Sequence, residues 1–213
     1  MDEEKLQNPF GFVPGMTKNE IYDLPLKQFE GRICLIDSMQ ELERNLSFFE
    51  NNRLAGFDTE SKPSFKKGQH NKVALLQLAN HDTSLLIRIN KIGLPEKVIR
   101  MLSDAGVTKI GVALRDDLTA LKQLSSFNPA GFVDLQSFVK DFGIEANGLR
   151  TLTAIVLGFR ISKSQQVTNW DAARLSESQL IYAATDAWVC HEIYRKLLEL
   201  KKVNERHAEG QSI

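Results

Sequence analysis

The chain has 213 residues, 27 Lys+Arg against 27 Asp+Glu, 42% apolar residues and two cysteines. That length suits one large domain with a terminal extension, able to bury about 70% of its unfolded surface without staples. Zero formal net charge excludes a polycation that binds nucleic acid by bulk charge, but not a local basic patch. Cys34 and Cys190 cannot form a disulfide framework, and no Cys/His cluster has zinc spacing, so a reducing compartment is expected. The longest apolar runs fall far short of the roughly 20 residues that span a bilayer. The first nine residues are too charged and polar for a signal peptide. A soluble cytoplasmic protein with no membrane partner is expected.

Residues 1–30 read as a loosely structured extension, and residues 31–213 as the domain proper. Three of the six prolines, Pro9, Pro14 and Pro25, fall in the extension, which has no sustained period. Residues 32–37 read as a short strand. Residues 38–51 read as a helix, with Ser38 as cap, Glu41 three residues on, and Leu42, Leu46 and Phe49 at helical spacing. Apolar runs at 54–58, 73–80 and 84–89 read as consecutive strands of a meander. A helix over 94–105 follows, then a strand at 109–114, a helix at 115–124 and a strand at 132–135. Helices are expected at 136–142, 149–157 and 176–200. The order implies an α/β layer around a mixed sheet.

Four carboxylates lie where this pattern expects burial. Asp58 and Glu60 stand at i and i+2 of a strand, on one face and about 7 Å apart along the chain. They either run out into solvent or share a cation or a proton. Asp117 flanks the Leu114, Leu118, Leu121 stripe and faces the sheet, while Asp116 points to water. Both also suit a helix N-terminus electrostatically. Asp186 falls within the stripe Tyr182, Asp186, Val189, Ile193, Leu197, where an unpaired charge costs several kcal/mol. It must be paired, protonated or bound to metal. The Tyr182 hydroxyl shares that face one turn earlier. Oxygen-only ligands suit a hard ion, Mg²⁺ or Mn²⁺, and acids around two such ions are the apparatus for in-line displacement at phosphorus.

At these residues the chain resembles the tyrosine subgroup of the DEDD superfamily of 3′–5′ exonucleases. The motifs are Phe57-Asp58-Thr59-Glu60, then residues 109–117 ending in Asp116-Asp117, then Tyr182-Ala183-Ala184-Thr185-Asp186-Ala187. The segment Thr168-Asn169-Trp170, with Leu175 and Gln179, is most similar to ribonuclease D and Werner-type exonuclease domains. The resemblance implies a ribonuclease H-like exonuclease fold with a five-stranded mixed sheet flanked by helices. It implies two divalent metal ions and release of nucleoside 5′-monophosphates from a 3′ end. Asp58 would bridge both ions, Glu60 and Asp186 would complete the water-activating site, Asp117 would serve the second ion, and Tyr182 would orient the water.

Residues 61–72 hold four lysines and no acid directly after Glu60. Phosphate contacts from Lys66, with Phe65 stacking, form one expected grip on a 3′ strand, and a solvated hairpin loop is the plain alternative. Lys163, Asn169 and Trp170, with Arg160 and Arg174 nearby, are expected to line the other bank, with Thr59 beside the metal site. Trp170 reads equally as a core plug. The segment 168–170 tilts the substrate toward DNA over RNA. The expected partner is nucleic acid with a 3′ end, and no feature identifies a helicase or repair partner. Two other functions fit the pattern: a non-catalytic nucleic-acid- or protein-binding module on the same fold, and a hydrolase of very short oligonucleotides.

Overall fold

The computed structural model of the protein describes residues 9–63 and 71–210. Its strands are β1 (Arg32–Ile36), β2 (Leu54–Ser61), β3 (Val73–Ala79), β4 (Thr83–Ile87), β5 (Thr108–Gly111) and β6 (Phe132–Asp134). They form one six-stranded sheet in the order β1-β4-β3-β2-β5-β6. β2, β3 and β4 make an antiparallel meander, while β1 joins β4, β5 joins β2 and β6 joins β5 in parallel. The five strands implied by the family become six because the early segment pairs along β4, from Arg32 opposite Thr83 to Ile36 opposite Ile87. β1 can sit there because it is apolar on both sides: Cys34 and Ile36 join one core, Ile33 and Leu35 the other.

The helices are α1 (Lys18–Tyr22), α2 (Met39–Arg44), α3 (Leu46–Asn51), α4 (Ile89–Ile92), α5 (Glu96–Ser103), α6 (Leu114–Leu124), α7 (Leu135–Phe138), α8 (Leu149–Leu157) and α9 (Glu177–Gly210). Phe57, Leu76, Leu78, Leu85 and Ile87 face α5 and α6 on one side of the sheet, through Val98, Leu102, Leu114 and Leu121. The other side is crossed by α9, which contacts every strand from β1 to β5. β3, covered on both faces, is buried along its whole length.

The helix expected over 38–51 is two helices. Ser38 caps α2 by accepting from the Glu41 amide, as its spacing predicts. Asn45 then turns its side chain back to the Glu41 carbonyl at 2.8 Å and leaves the helical backbone region. The described part of the N-terminal extension lies on the domain through a few contacts. Phe10 meets Phe142 with centroids 4.6 Å apart, and the Pro14 carbonyl accepts from the Glu145 and Ala146 amides. Leu26 bridges to Arg160, and the buried Phe29 donates its amide to Thr185 Oγ1 at 3.0 Å. These contacts join segments more than a hundred residues apart, so no local period announces them.

Lys109 on β5 is fully buried, and its ammonium donates to the carbonyls of Met101, Asp104 and Val107 at 2.7–2.9 Å. The charge also lies 5.0 Å from the centre of the Phe132 ring. Burial pushes its pKa down to about 8. Lys109→Met should take the ammonium from all three carbonyls, leaving those of Met101 and Asp104 only the amides of Asp104 and Val107, and lower unfolding stability by about 1–3 kcal/mol. Urea unfolding of the two proteins checks this, and equal midpoints would contradict it.

Candidate active site

Backbone proximity between β2 and α9 builds the site. A Cβ placed on Gly56 would lie 1.8 Å from the Ala187 carbonyl oxygen and 2.9 Å from the His191 amide nitrogen. The bare glycine, under a helix face of Ala183, Ala184 and Ala187, lets α9 lie directly on the strand. Two residues beyond Gly56 on the same strand face stands Asp58, and two beyond that Glu60. Asp186 on α9 meets them, so that one carboxylate oxygen from each of Asp58, Glu60 and Asp186 lies within 4.8 Å of the others. The Tyr182 hydroxyl, one helical turn earlier, donates to Asp186.

Asp117 approaches from α6, on the opposite side of β2. It accepts from Thr59 Oγ1 at 2.5 Å and is half-buried, whereas Asp116 is exposed, as the helical spacing requires. Asp117 stands outside the tight group of three, yet its charge is felt by both Asp58 and Glu60. The start of α6 is unusual. Ala113 sits at φ 57, in the left-handed region, and has no side chain to cap the helix. Asp134 at the end of β6 supplies the cap, accepting from the amides of Ala113, Leu114 and Gln136 at 2.9–3.2 Å.

The acids line the floor of a cleft of about 690 Å³. Lys18, Asn19 and Tyr22 of α1 form part of one wall, residues 148–151 at the start of α8 another, and Ser162, Lys163 and Gln166 the rim. Thr59 and Lys163 both line this cleft. Asn169 is exposed but does not line the cleft; its Oδ1 accepts from the Asp171 amide. The expectation that Trp170 lines a substrate bank is corrected. Its ring is 0% exposed and packs under Tyr182 with centroids 6.0 Å apart, as the core plug of that loop. Gln179 holds the loop, donating to Thr168 Oγ1 at 3.0 Å and the Asn169 carbonyl at 3.4 Å. Phe65 and Lys66 lie outside the described residues. Sequence reasoning missed Gly56, although a glycine inside an apolar strand is a signal of close backbone approach. It also missed Asp134, an Asp at a strand-to-helix junction, and Tyr22, which no pattern marked.

The electrostatics follow from the crowding. Burial first, then Asp186 and Asp117, holds Asp58 well above the usual carboxylate range. Burial and the three neighbouring acids push Glu60 up to about 10. Burial raises Asp186 to about 7 against the hydrogen bond from Tyr182, and Asp117 to about 6 against the one from Thr59. Burial, then Asp186 and Glu60, raises the Tyr182 phenol so that it stays a donor. Such a group must hold protons or cations, and its oxygen-only donors fit a hard divalent ion.

Carboxylates whose unfolded values are near 4 keep extra protons in the folded state between about pH 4 and pH 7. Unfolding then releases protons, so stability without metal should fall as pH rises through that window. Mn²⁺ replaces the protons, so its stabilising increment should grow with pH. Melting curves at about pH 5 and about pH 8, with and without Mn²⁺, check this; equal increments at both would contradict it.

Three carboxylates from a strand and a crossing helix converge on the floor of an open cleft, an oxygen-only donor set compatible with a hard divalent ion. A family described as 3′–5′ exonuclease matches residues 33–201. The chain belongs to this 3′–5′ exonuclease family. Within it the acids and Tyr182 follow the pattern of the DEDD superfamily's tyrosine subgroup. The chain is similar to the human "Exonuclease mut-7 homolog", 29% identical over 209 residues, covering 84% of this chain and 24% of that protein. It is also 29% identical to the mouse "Bifunctional 3'-5' exonuclease/ATP-dependent helicase WRN", covering 82% of this chain and 13% of the other. The chain thus spans a quarter or less of these two relatives. Among solved structures, the EXO domain of Aedes aegypti Nibbler superposes with TM-score 0.70 at 26% identity, covering 83% of this chain and 91% of that one. Among the described residues, no helix is long and apolar enough to cross a membrane.

Proposed function

We propose that the chain is a metal-dependent 3′–5′ exonuclease that releases nucleoside 5′-monophosphates from the 3′ end of nucleic acid. The observation that carries this is the convergence of Asp58, Glu60 and Asp186 within 4.8 Å on the floor of an open cleft. Asp58, Glu60 and Asp186 would hold one Mg²⁺ or Mn²⁺ ion, and Asp58 with Asp117 a second. Bound there, the ions lower the pKa of the attacking water and neutralise charge on the leaving 3′ oxygen. Tyr182, kept protonated by its burial and its acidic neighbours, holds the water in line through its hydroxyl. Thr59 fixes the Asp117 carboxylate, and Lys163 at the rim meets the phosphate backbone.

The resemblance of residues 168–170 to Werner-type domains tilts the expectation toward DNA, but Trp170 is in the core and Asn169 does not line the cleft, so the proposal covers either nucleic acid. It is tested by a gel time course on 5′-labelled DNA and RNA of matched sequence, with Mg²⁺, Mn²⁺ or EDTA, and with a dinucleotide beside a long oligomer. A metal-dependent ladder shortening from the 3′ end of the long oligomer is expected. Cleavage of the dinucleotide alone would make the protein a short-oligonucleotide hydrolase, and intact substrate in every lane would overturn the reading.

A further inference from the structure

One wall of the cleft comes from outside the exonuclease motifs. α1 is a single turn closed by a capping box, with Thr17 accepting from the Glu20 amide and Glu20 accepting from the Thr17 amide. Ile21 anchors it in the core, buried at 5% exposure, while the next residue, Tyr22, is 68% exposed and lines the cleft. The segment behind it is tied down by Arg160. The Arg160 amide donates to the Pro25 carbonyl at 2.9 Å, its carbonyl accepts from Lys27, and its Nε donates to the Leu24 carbonyl at 3.0 Å. The guanidinium then lies 5.0 Å from the centre of the Tyr22 ring. One ring face is thus backed by a cation, and the exposed ring contributes to the lining of the cleft.

Among the described residues, the cations of this cleft have no carboxylate partners. Lys18 on α1, Arg150 and Lys163 line the same cleft, and among the described residues none of them, nor Arg160, makes an ion pair. The Nε of Arg150 is buried without a hydrogen-bond acceptor. Among the described residues, the only acids lining the cleft are the three on its floor. An exposed aromatic ring backed by one cation, in a cleft lined by others, suits a flexible chain that alternates flat bases with phosphates. It does not suit an apolar peptide or a small neutral ligand.

We infer that Tyr22 is a stacking platform for a base upstream of the 3′-terminal nucleotide, with Arg160 behind the ring and Lys18 and Arg150 on the flanking phosphates. The inference deepens the proposed exonuclease reading and rests on it. It makes α1 part of the substrate site and single-stranded 3′ ends the preferred substrate, because a base must leave its duplex partner to lie on the ring.

The test is a steady-state comparison with Mn²⁺ on a single-stranded oligonucleotide and on the same strand carrying abasic linkers next to the 3′-terminal nucleotide. Tyr22→Ala should raise KM on the normal strand about tenfold with kcat changed less than about twofold. Tyr22→Phe should stay close to wild type. On the abasic strand Tyr22→Ala and wild type should have the same KM, since no base remains to stack. Unchanged KM in Tyr22→Ala on the normal strand would overturn the inference alone, as would an equal rise on both strands, which would mark a packing role for α1. Absence of turnover by the wild-type protein on either strand would instead overturn the exonuclease reading, and the inference with it.

Discussion

Asp186→Asn should lower nucleotide release by about a thousandfold or more, because several kcal/mol of metal-dependent stabilisation is lost when a ligand oxygen is replaced by an amide. The same variant should melt higher than wild type in EDTA. Wild-type Asp186 is buried beside the half-buried Asp58 and Glu60, and ionising it there is costly enough to raise its pKa to about 7. Asparagine keeps the shape and the acceptor for Tyr182 while removing that charge. Mn²⁺ should then raise the melting temperature of wild type but barely that of the variant. Paired melting curves and a rate assay check both halves. A variant that is active, or that melts well below wild type without metal, would show instead that Asp186 is a structural partner in the core.

Gly56→Ala should be nearly as damaging, although Gly56 touches no substrate. The added methyl would fall 1.8 Å from the Ala187 carbonyl oxygen, 2.8 Å from its carbon and 2.9 Å from the His191 nitrogen, all of them α9 backbone. No rotamer change relieves a backbone clash, so the strand and helix must part. Overpacking of this kind costs about 3 kcal/mol or more. A displacement near 1 Å between Asp58 and Asp186 costs about a hundredfold in rate. Gly15→Ala is the control, since its Cβ would meet nothing within 4 Å. Gly56→Ala with normal melting and normal rate would refute the view that close strand–helix contact assembles the site.

These two residues also mark the border of what the sequence discloses. Asp186 was legible because a helix repeats every 3.6 residues, and a charge inside an apolar stripe needs only local arithmetic to be noticed. The same arithmetic separated Asp117 from Asp116, and strand alternation put Asp58 and Glu60 on one face. Gly56 was not read as part of the site because its meaning lies in Ala187, 131 positions away in the chain. Residues 32–36 looked like a strand, but their place beside β4 depends on pairing across some fifty residues. Trp170 illustrates a different limit. A tryptophan in a loop beside basic residues serves equally as a base stacker or a core plug, and only its 0% exposure decides. Tyr22 lay in a proline-rich stretch without period, so its position at the cleft comes wholly from tertiary contacts with Arg160.

The most direct measurement is a crystal of the protein soaked in Mn²⁺ and examined by anomalous diffraction. A manganese peak between the carboxylates of Asp58, Glu60 and Asp186, absent from the Asp186→Asn crystal, is the predicted result. Carboxylates that close on one another through protons, with no manganese among them at saturating concentration, would contradict the account.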